Sequence, residues 1–294
     1  MSLDVTPADR LALPDLAALW NRAYSGYPVP LSFTPELLQR HIERSGASLA
    51  LSRLLWRAEA PTAAPAPCGL SLAAARGERA YLAGFGIAPE ARRQGLGQRL
   101  LQAQLDAWRQ HGLQQAQLEV MEANPARQLY RQAGFIEQRR LLVLQGRMQG
   151  ERQGVLQGRG RTAMAAAAGA DLQPADLDTL ARLHRQLNAA SAPTWRREWA
   201  TVQRASQVTG ATAWQAADGR AYAVLLPTPG TVAVVDAAAA DAPAAAALWS
   251  GLARLHPQAA WRLVDEPAGT PVAHAAAAAG LAMPLAQVEM RVRW

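Results

Sequence analysis

Arg92-Arg93-Gln94-Gly95-Leu96-Gly97 puts two guanidinium groups and two glycines where a strand-like run gives way to a helical one. These residue types suit one task, the holding of a phosphate. The first turn of a helix leaves about four backbone N–H groups unpaired and carries about half a positive charge. An anion placed there meets donors that already point at it. Glycine lets the backbone come close without an intervening Cβ, at a cost to the helix of about 1 kcal/mol relative to alanine. Arg92 and Arg93 add charge beside the same anion. Gly-x-Gly alone also fits the close packing of a strand–helix turn. A dinucleotide-binding site is disfavoured, because GxGxxG spacing is absent and the strand does not open the domain.

The elements that must position this turn follow from periodicity. Residues 79–89 read as a strand, and Gly84 and Gly86 inside it mark a bulge or a close backbone approach. Residues 98–112 read as the helix that follows, ended by Gly112. Upstream, 13–24 is a helix begun by Pro14 and Asp15, and 34–46 is a helix with Thr34 as N-cap and Pro35 at the first position. The loop 25–33 joins them. Strands at 47–59 and 68–77 flank a Pro/Ala-rich turn. Downstream come a strand at 115–122, a short helix at 125–134 and a strand at 135–146.

The second half repeats this order in diverged form. One constant shift places Pro125 on Pro271, Gly134 on Gly280 and Phe135 on Leu281, and the closing run AQVEMRVRW matches the last strand of the first half. The expected organisation is an α/β domain over 1–148, a Gly/Arg/Gln-rich linker over 149–162 and a second domain over 163–294.

Composition narrows the function classes. All 30 basic residues are arginine, and the net charge is +7. The arginines are scattered without a basic stripe, which disfavours a nucleic-acid-binding module. Cys68 is the one cysteine, so an internal disulfide and CxxC metal motifs are excluded. No metal is implied. No apolar run reaches the roughly 18 residues of a membrane span, and the first residues lack the pattern of a secretory signal. The expectation is a soluble, cytoplasmic protein that uses neither membrane nor nucleic acid; its oligomeric state is left open.

IAPEARRQGLGQRLL resembles the acyl-coenzyme A binding segment of the GNAT superfamily, the Gcn5-related N-acetyltransferases, whose pattern Arg/Gln-x-x-Gly-x-Gly/Ala is filled by Arg92, Gly95 and Gly97. LEVMEANPARQLYRQAGF, residues 118–135, is independently similar to a second motif of that family, in the expected order. The resemblance implies two tandem GNAT-like domains, each a mixed, mostly antiparallel sheet flanked by helices. It implies acetyl-CoA as donor and a primary amine, on a small molecule or a peptide, as acceptor. By the same resemblance the turn from Arg92 through Arg93, Gln94, Gly95 and Gly97 to Gln98 cradles the pyrophosphate. Backbone groups near Phe85 and Ile87 meet the pantetheine arm, Asn124 hydrogen-bonds it, and Tyr130 protonates the leaving thiolate.

Direct attack by an amine needs no enzyme nucleophile, in keeping with the lack of a Ser-His-Asp or Cys-His set. Glu119 is preferred over Glu122 as the base, acting through water. Tyr24, Tyr27 and Phe33 are the expected lining of the acceptor cleft. His41 and His111 read as ordinary surface or capping residues of helices, and Cys68 as structural. In the second half the corresponding helix opens with DAPAAAALW. It lacks Gly-x-Gly, while Thr270 stands for Asn124 and Ala276 for Tyr130. That half is expected to be a degenerate copy. The alternative to an enzyme is a non-catalytic acyl-CoA-binding or partner-binding protein of the same fold.

Overall fold

The computed structural model describes residues 3–27, 31–58, 60, 64–148, 170–189 and 192–294. The expected linker at 149–162 lies outside them. The chain forms two compact units, residues 1–138 with 289–294, and residues 139–288.

The first unit contains β1 (Leu3–Pro7), α1 (Leu13–Ala23), α2 (Pro35–Ser45), β2 (Ala47–Arg57), β3 (Ala66–Arg76), β4 (Arg79–Ile87), α3 (Leu96–Gln110), β5 (Gln115–Met121) and α4 (Ala126–Gln132). β1 to β4 are successive antiparallel neighbours, and β5 joins β4 in parallel. Alternate residues of the strands serve opposite faces. Leu54, Leu70 and Leu72 pack with Leu16, Leu19 and Trp20 of α1 and Leu38 of α2. Leu55 and Ile87 pack with Leu96 and Leu100 of α3. Thr34 caps α2 as its sequence implies, accepting a hydrogen bond from the Leu37 N–H, and Gly46 ends the helix in the left-handed conformation. β1 has no counterpart in the sequence reading, because five residues at a sheet edge show little alternation.

The second unit holds β6 (Ile136–Arg147) from Arg139 onward, β7 (Leu172–Pro174), α5 (Leu177–Leu187), α6 (Trp199–Thr209), β8 (Thr212–Ala216), β9 (Ala221–Thr228), β10 (Thr231–Ala239), α7 (Ala242–Leu255), β11 (Ala260–Pro267), α8 (Pro271–Ala278) and β12 (Ala282–Arg293) as far as Val288. Its β10–β11 pair is parallel, and the β7–β8, β8–β9 and β9–β10 pairs are antiparallel. The element order of the first unit recurs. Among the described residues no helix is long and apolar enough to cross a membrane.

The units are not contiguous stretches parted at 148. β6 pairs with β11 through residues 141–147. The strand beside β5 in the first unit is the end of β12, and Trp294 donates its indole N–H to the Leu113 carbonyl. Side-chain patterning marked both segments as strands but does not say which backbone each pairs with.

Both readings of the glycines in β4 hold. Leu72 pairs with Gly84 and Ala73 with Leu82, so Ala83 is an extra residue. A Cβ on Gly84 would lie 2.5 Å from Trp20 Cζ3, and one on Gly86 2.9 Å from Ala23 Cβ. Gly84→Ala is therefore expected to destabilise the protein by about 1–3 kcal/mol through overpacking, read as a lower midpoint in urea unfolding.

Candidate active site

The parallel pairing of β4 and β5 covers only Arg79–Tyr81 against Gln115–Gln117. Beyond it the strands run on to Ile87 and Met121, and a cavity of about 530 Å³ opens. Phe85, Gly86 and Ile87 line one side, and Asn124, Pro125 and Leu129 the other. Tyr24, Tyr27, Arg92, Arg93 and Gly97 complete the wall. Eight of the fourteen sequence-derived site residues therefore line one cavity, while Phe33, Gln94, Gly95, Gln98, Glu119 and Tyr130 are not on its wall.

Gly95 and Gly97 are required for different reasons. Gly95 is the N-cap of α3 with φ of 74°, a left-handed conformation that costs an L-residue about 1–2 kcal/mol. Nothing lies within 4 Å of the place a Cβ would take there. Gly97 faces the cavity, and its Cβ would meet Leu129 and Ile87 at ordinary contact distances of 3.5 and 3.7 Å. The start of α3 has no side-chain cap and no acid in its first turn. Its N–H groups are left for another partner. Arg93 is also left-handed, at φ of 59°, and exposed.

Arg92 differs from the expectation. Its Nε donates to the Ile87 carbonyl at 2.9 Å, and its Nη2 to the carbonyls of Ala23 and Ser25 at 3.0 and 3.1 Å. The guanidinium thus ties the end of α1 to the end of β4, and among the described residues of the turn the arginine left without a bonded partner is Arg93. Gln94 bonds the Glu90 carbonyl and Arg57, and Gln98 is exposed on α3. Neither Gln94 nor Gln98 lines the cavity.

Three of the chain's five tyrosines gather here. The Phe85 N–H donates to the Tyr24 hydroxyl at 3.0 Å. Burial pushes the Tyr24 phenol well above its ordinary value, although that bond opposes the shift. Tyr130 is 5% exposed, with its ring 6.0 Å from that of Phe85. Burial raises it too, and the nearby Tyr24 and Tyr27 add to the shift. Tyr27 is raised by burial, with the Asn124 side chain offsetting part of the effect. Asn124 Oδ1 accepts from the Ala126 N–H at 2.8 Å, which fixes the amide at the start of α4.

Two expected site residues stand apart. Phe33 stacks on Trp20 with centroids 5.1 Å apart and exchanges backbone bonds with the Asn21 side chain, so its ring is part of the packing under the cleft. Glu119 accepts from the Tyr81 hydroxyl at 2.5 Å, at the root of the parting strands and not on the cavity wall. One residue was missed. His41 Nε2 lies 3.1 Å from the carbonyl of the bulged Ala83, its ring against Trp20 and Phe33. The available signal was its place three residues after the buried Leu38, on the inward face of α2.

Residues 19–135 match the model of the acetyltransferase (GNAT) family. A putative acetyltransferase from Pyrococcus horikoshii superposes with TM-score 0.64 at 13% identity, over 99% of this chain and 89% of that one. A GCN5-related N-acetyltransferase from Sphaerobacter thermophilus gives 0.63 at 17%, over 99% and 95%. A tandem GNAT protein from the clavulanic acid biosynthesis pathway gives 0.60 at 12%, over 99% and 98%. At these identities the likeness is one of fold. No curated protein matches the sequence. The match to this family model falls within the first unit. The chain as a whole has the tandem GNAT fold.

Two outcomes follow from this geometry. Arg92→Met should lower stability by about 1–2 kcal/mol in urea unfolding without any ligand, which a residue reserved for phosphate would not do. The phenols of Tyr24 and Tyr130 keep their protons in the folded state at pH values where the unfolded chain, with the ordinary value of 10.0, releases them. Their contribution is whole below pH 10 and is lost as pH rises above it. The urea midpoint should accordingly fall on the alkaline side, and Tyr24→Phe with Tyr130→Phe should flatten that fall.

Proposed function

We propose that the first unit is an acetyl-CoA-dependent N-acetyltransferase, moving the acetyl group to a primary amine of a small molecule or a peptide. The observation that carries this reading is the cleft between β4 and β5, opening on the uncapped start of α3 at Gly95 and Gly97. The backbone N–H groups of that turn hold the pyrophosphate, with Arg93 beside them. The pantetheine arm lies along the edge of β4 from Phe85 to Ile87, exchanging the bonds of Tyr24 and Arg92 there for its own, with the Asn124 amide opposite.

The amine attacks the thioester carbonyl, so a C–N bond forms and the C–S bond breaks. The ammonium proton leaves through water toward Glu119, and Tyr130 gives its proton to the departing sulfur. Burial holds that phenol protonated at neutral pH, which a proton donor requires. Tyr24 and Tyr27 border the acceptor's approach. Phe33 contributes from beneath, by fixing Trp20.

The second unit is not a second site for acetyl-CoA on this reading. The turn Ala88–Gln94 has no equivalent there, since only Ala240 separates β10 from Asp241. Asp241 caps α7 itself, accepting from the Ala244 N–H at 2.9 Å, and pairs with Arg220. A carboxylate occupies the place of a phosphate.

Calorimetry should find one acetyl-CoA per chain. Gly95→Glu should abolish binding and Asp241→Ala should leave it unchanged; two equivalent sites, or none, would overturn the reading. Gly97→Ala should weaken binding without lowering the unfolding midpoint, since its Cβ meets only ordinary contacts. Tyr130→Phe should reduce kcat by about 10²–10³ with acetyl-CoA affinity kept. Binding with no turnover over a panel of amines would leave acyl-CoA binding as the function.

A further inference from the structure

Tyr24 uses its hydroxyl only as an acceptor, from the Phe85 N–H at 3.0 Å. Among the described residues nothing accepts the hydroxyl's own proton, and the residue lines the 530 Å³ cavity. The ring is fixed by its stack on Trp20, with centroids 4.3 Å apart, and by an edge contact with Tyr27 at 5.5 Å. Burial raises the phenol, so the unused proton stays in place at neutral pH.

The second unit shows that the fold does not need this hydroxyl. The two units can be matched position by position. His184 is the residue of α5 that Trp20 is of α1, and Arg197 precedes the cap of α6 as Phe33 precedes that of α2. Asp236 follows its bulge as Gly84 does, and Tyr222 faces Ala238 as Leu70 faces Gly86. By the same matching Asn188, which ends α5, holds the place of Tyr24, which ends α1, and Ala237 holds that of Phe85. The Asn188 amide donates to the His184 carbonyl at 3.0 Å and to the Tyr222 hydroxyl at 3.1 Å. It thereby serves an ionic floor, where Tyr222 and Arg197 both donate to Asp236, at 2.5 and 3.0 Å. Among the described residues no side chain takes the Ala237 N–H. A strand edge opening on a cleft exists in both units, then, and a hydroxyl on that edge goes with the unit whose helix start is open.

We propose that Tyr24 is a catalytic hydrogen-bond donor to the carbonyl oxygen of the thioester, an assignment that rests on the acetyltransferase reading above. The Tyr130 ring lies 6.0 Å from that of Phe85, so a sulfur served by Tyr130 brings the thioester to the Phe85 end of the strand edge. The carbonyl oxygen that takes the Phe85 N–H in exchange stands beside the released Tyr24 hydroxyl, which donates to its second lone pair. As the amine attacks, the C=O electron pair moves onto this oxygen and the two donors hold the charge. No proton leaves Tyr24, and the pair returns as the C–S bond breaks. Donors fixed where charge develops are a large source of rate.

Calorimetry with acetyl-CoA and with S-ethyl-CoA, which has a methylene in place of the carbonyl, reads this contact directly. Tyr24→Phe removes the hydroxyl and keeps the stacked ring. The preference for acetyl-CoA over S-ethyl-CoA should shrink about fivefold in that variant, the contribution of one hydrogen bond, with S-ethyl-CoA bound as before. The carbonyl stretch of bound acetyl-CoA, isolated by isotope labelling, should rise in frequency. A hydroxyl that only competes for the Phe85 N–H predicts the opposite sign, because its removal would widen the preference. A widened preference, an unchanged preference and stretch, or a loss shared equally by both ligands would each overturn the proposal. Failure of the unaltered chain to bind either ligand would overturn the acetyltransferase reading and the proposal with it.

Discussion

Two neighbouring parallel strands that must part is the constraint on which the first unit is built. Wherever β4 leaves β5, backbone donors and acceptors lose their sheet partners, and such groups are costly when buried alone. Three of those on β4 are met by side chains. His41 meets the carbonyl of Ala83, Tyr24 takes the N–H of Phe85, and Arg92 takes the carbonyl of Ile87. Three residues from three different elements thus stand along the strand edge where an extended ligand would pair. Hydrogen bonds of this kind can be exchanged for a ligand's at little net cost, since a typical one contributes only about 1 kcal/mol.

The bulge at Ala83 sits two residues past the last pair of β4 with β5, and its neighbour Gly84 accepts the Trp20 ring against bare backbone. Bulges increase local twist and bend the strand that carries them. Bulge, glycine and indole together fix where the cleft begins. The stack of Trp20 on Tyr24 and Phe33 extends this from the cleft floor to Tyr24 on the cavity wall. Packing in the core and geometry in the site are here one arrangement.

Much of this was legible in the residues. The glycines at 84 and 86 announced a bulge and a close approach, Thr34 and Pro35 announced a helix start, and the two motifs assembled around one cavity. What was hidden has common causes. Side-chain direction within a loop is not encoded by residue type, so Arg92 looked like a phosphate ligand and is a brace between α1 and β4. Gln94 and Gln98 belong to the motif through their backbone only. Phe33 looked like lining because an aromatic in a loop is ambiguous until its partner, Trp20, is known. The partners of β6 and of the end of β12 were invisible because strand pairing is made by backbone groups that every residue has. His41 was hidden by its commonness: a histidine on an amphipathic helix carries no mark of a partner on a strand.

The second unit separates what the fold needs from what the cofactor needs. It keeps the parallel pair, the bulge and the parting of the strands, yet α7 begins at once after β10 behind an aspartate cap. The cleft is therefore a property of the sheet, present with or without a phosphate cradle. What differs between the units is the added turn Ala88–Gly95, where Arg93 and Gly95 are left-handed. A carboxylate at Asp241 satisfies the same helix start internally. One scaffold thus presents a start of helix open to anions in one unit and an acid-lined floor in the other. The difference rests on a turn of a few residues and four substitutions at matched positions, Trp20 to His184, Phe33 to Arg197, Leu70 to Tyr222 and Gly84 to Asp236. Trp20 meets Phe33 and Gly84 in the first unit, and Asp236 meets Arg197 and Tyr222 in the second, so the change from aromatic to ionic is self-consistent only when made together: a lone Asp236 over an indole would be an unpaired buried charge, which a folded chain does not tolerate.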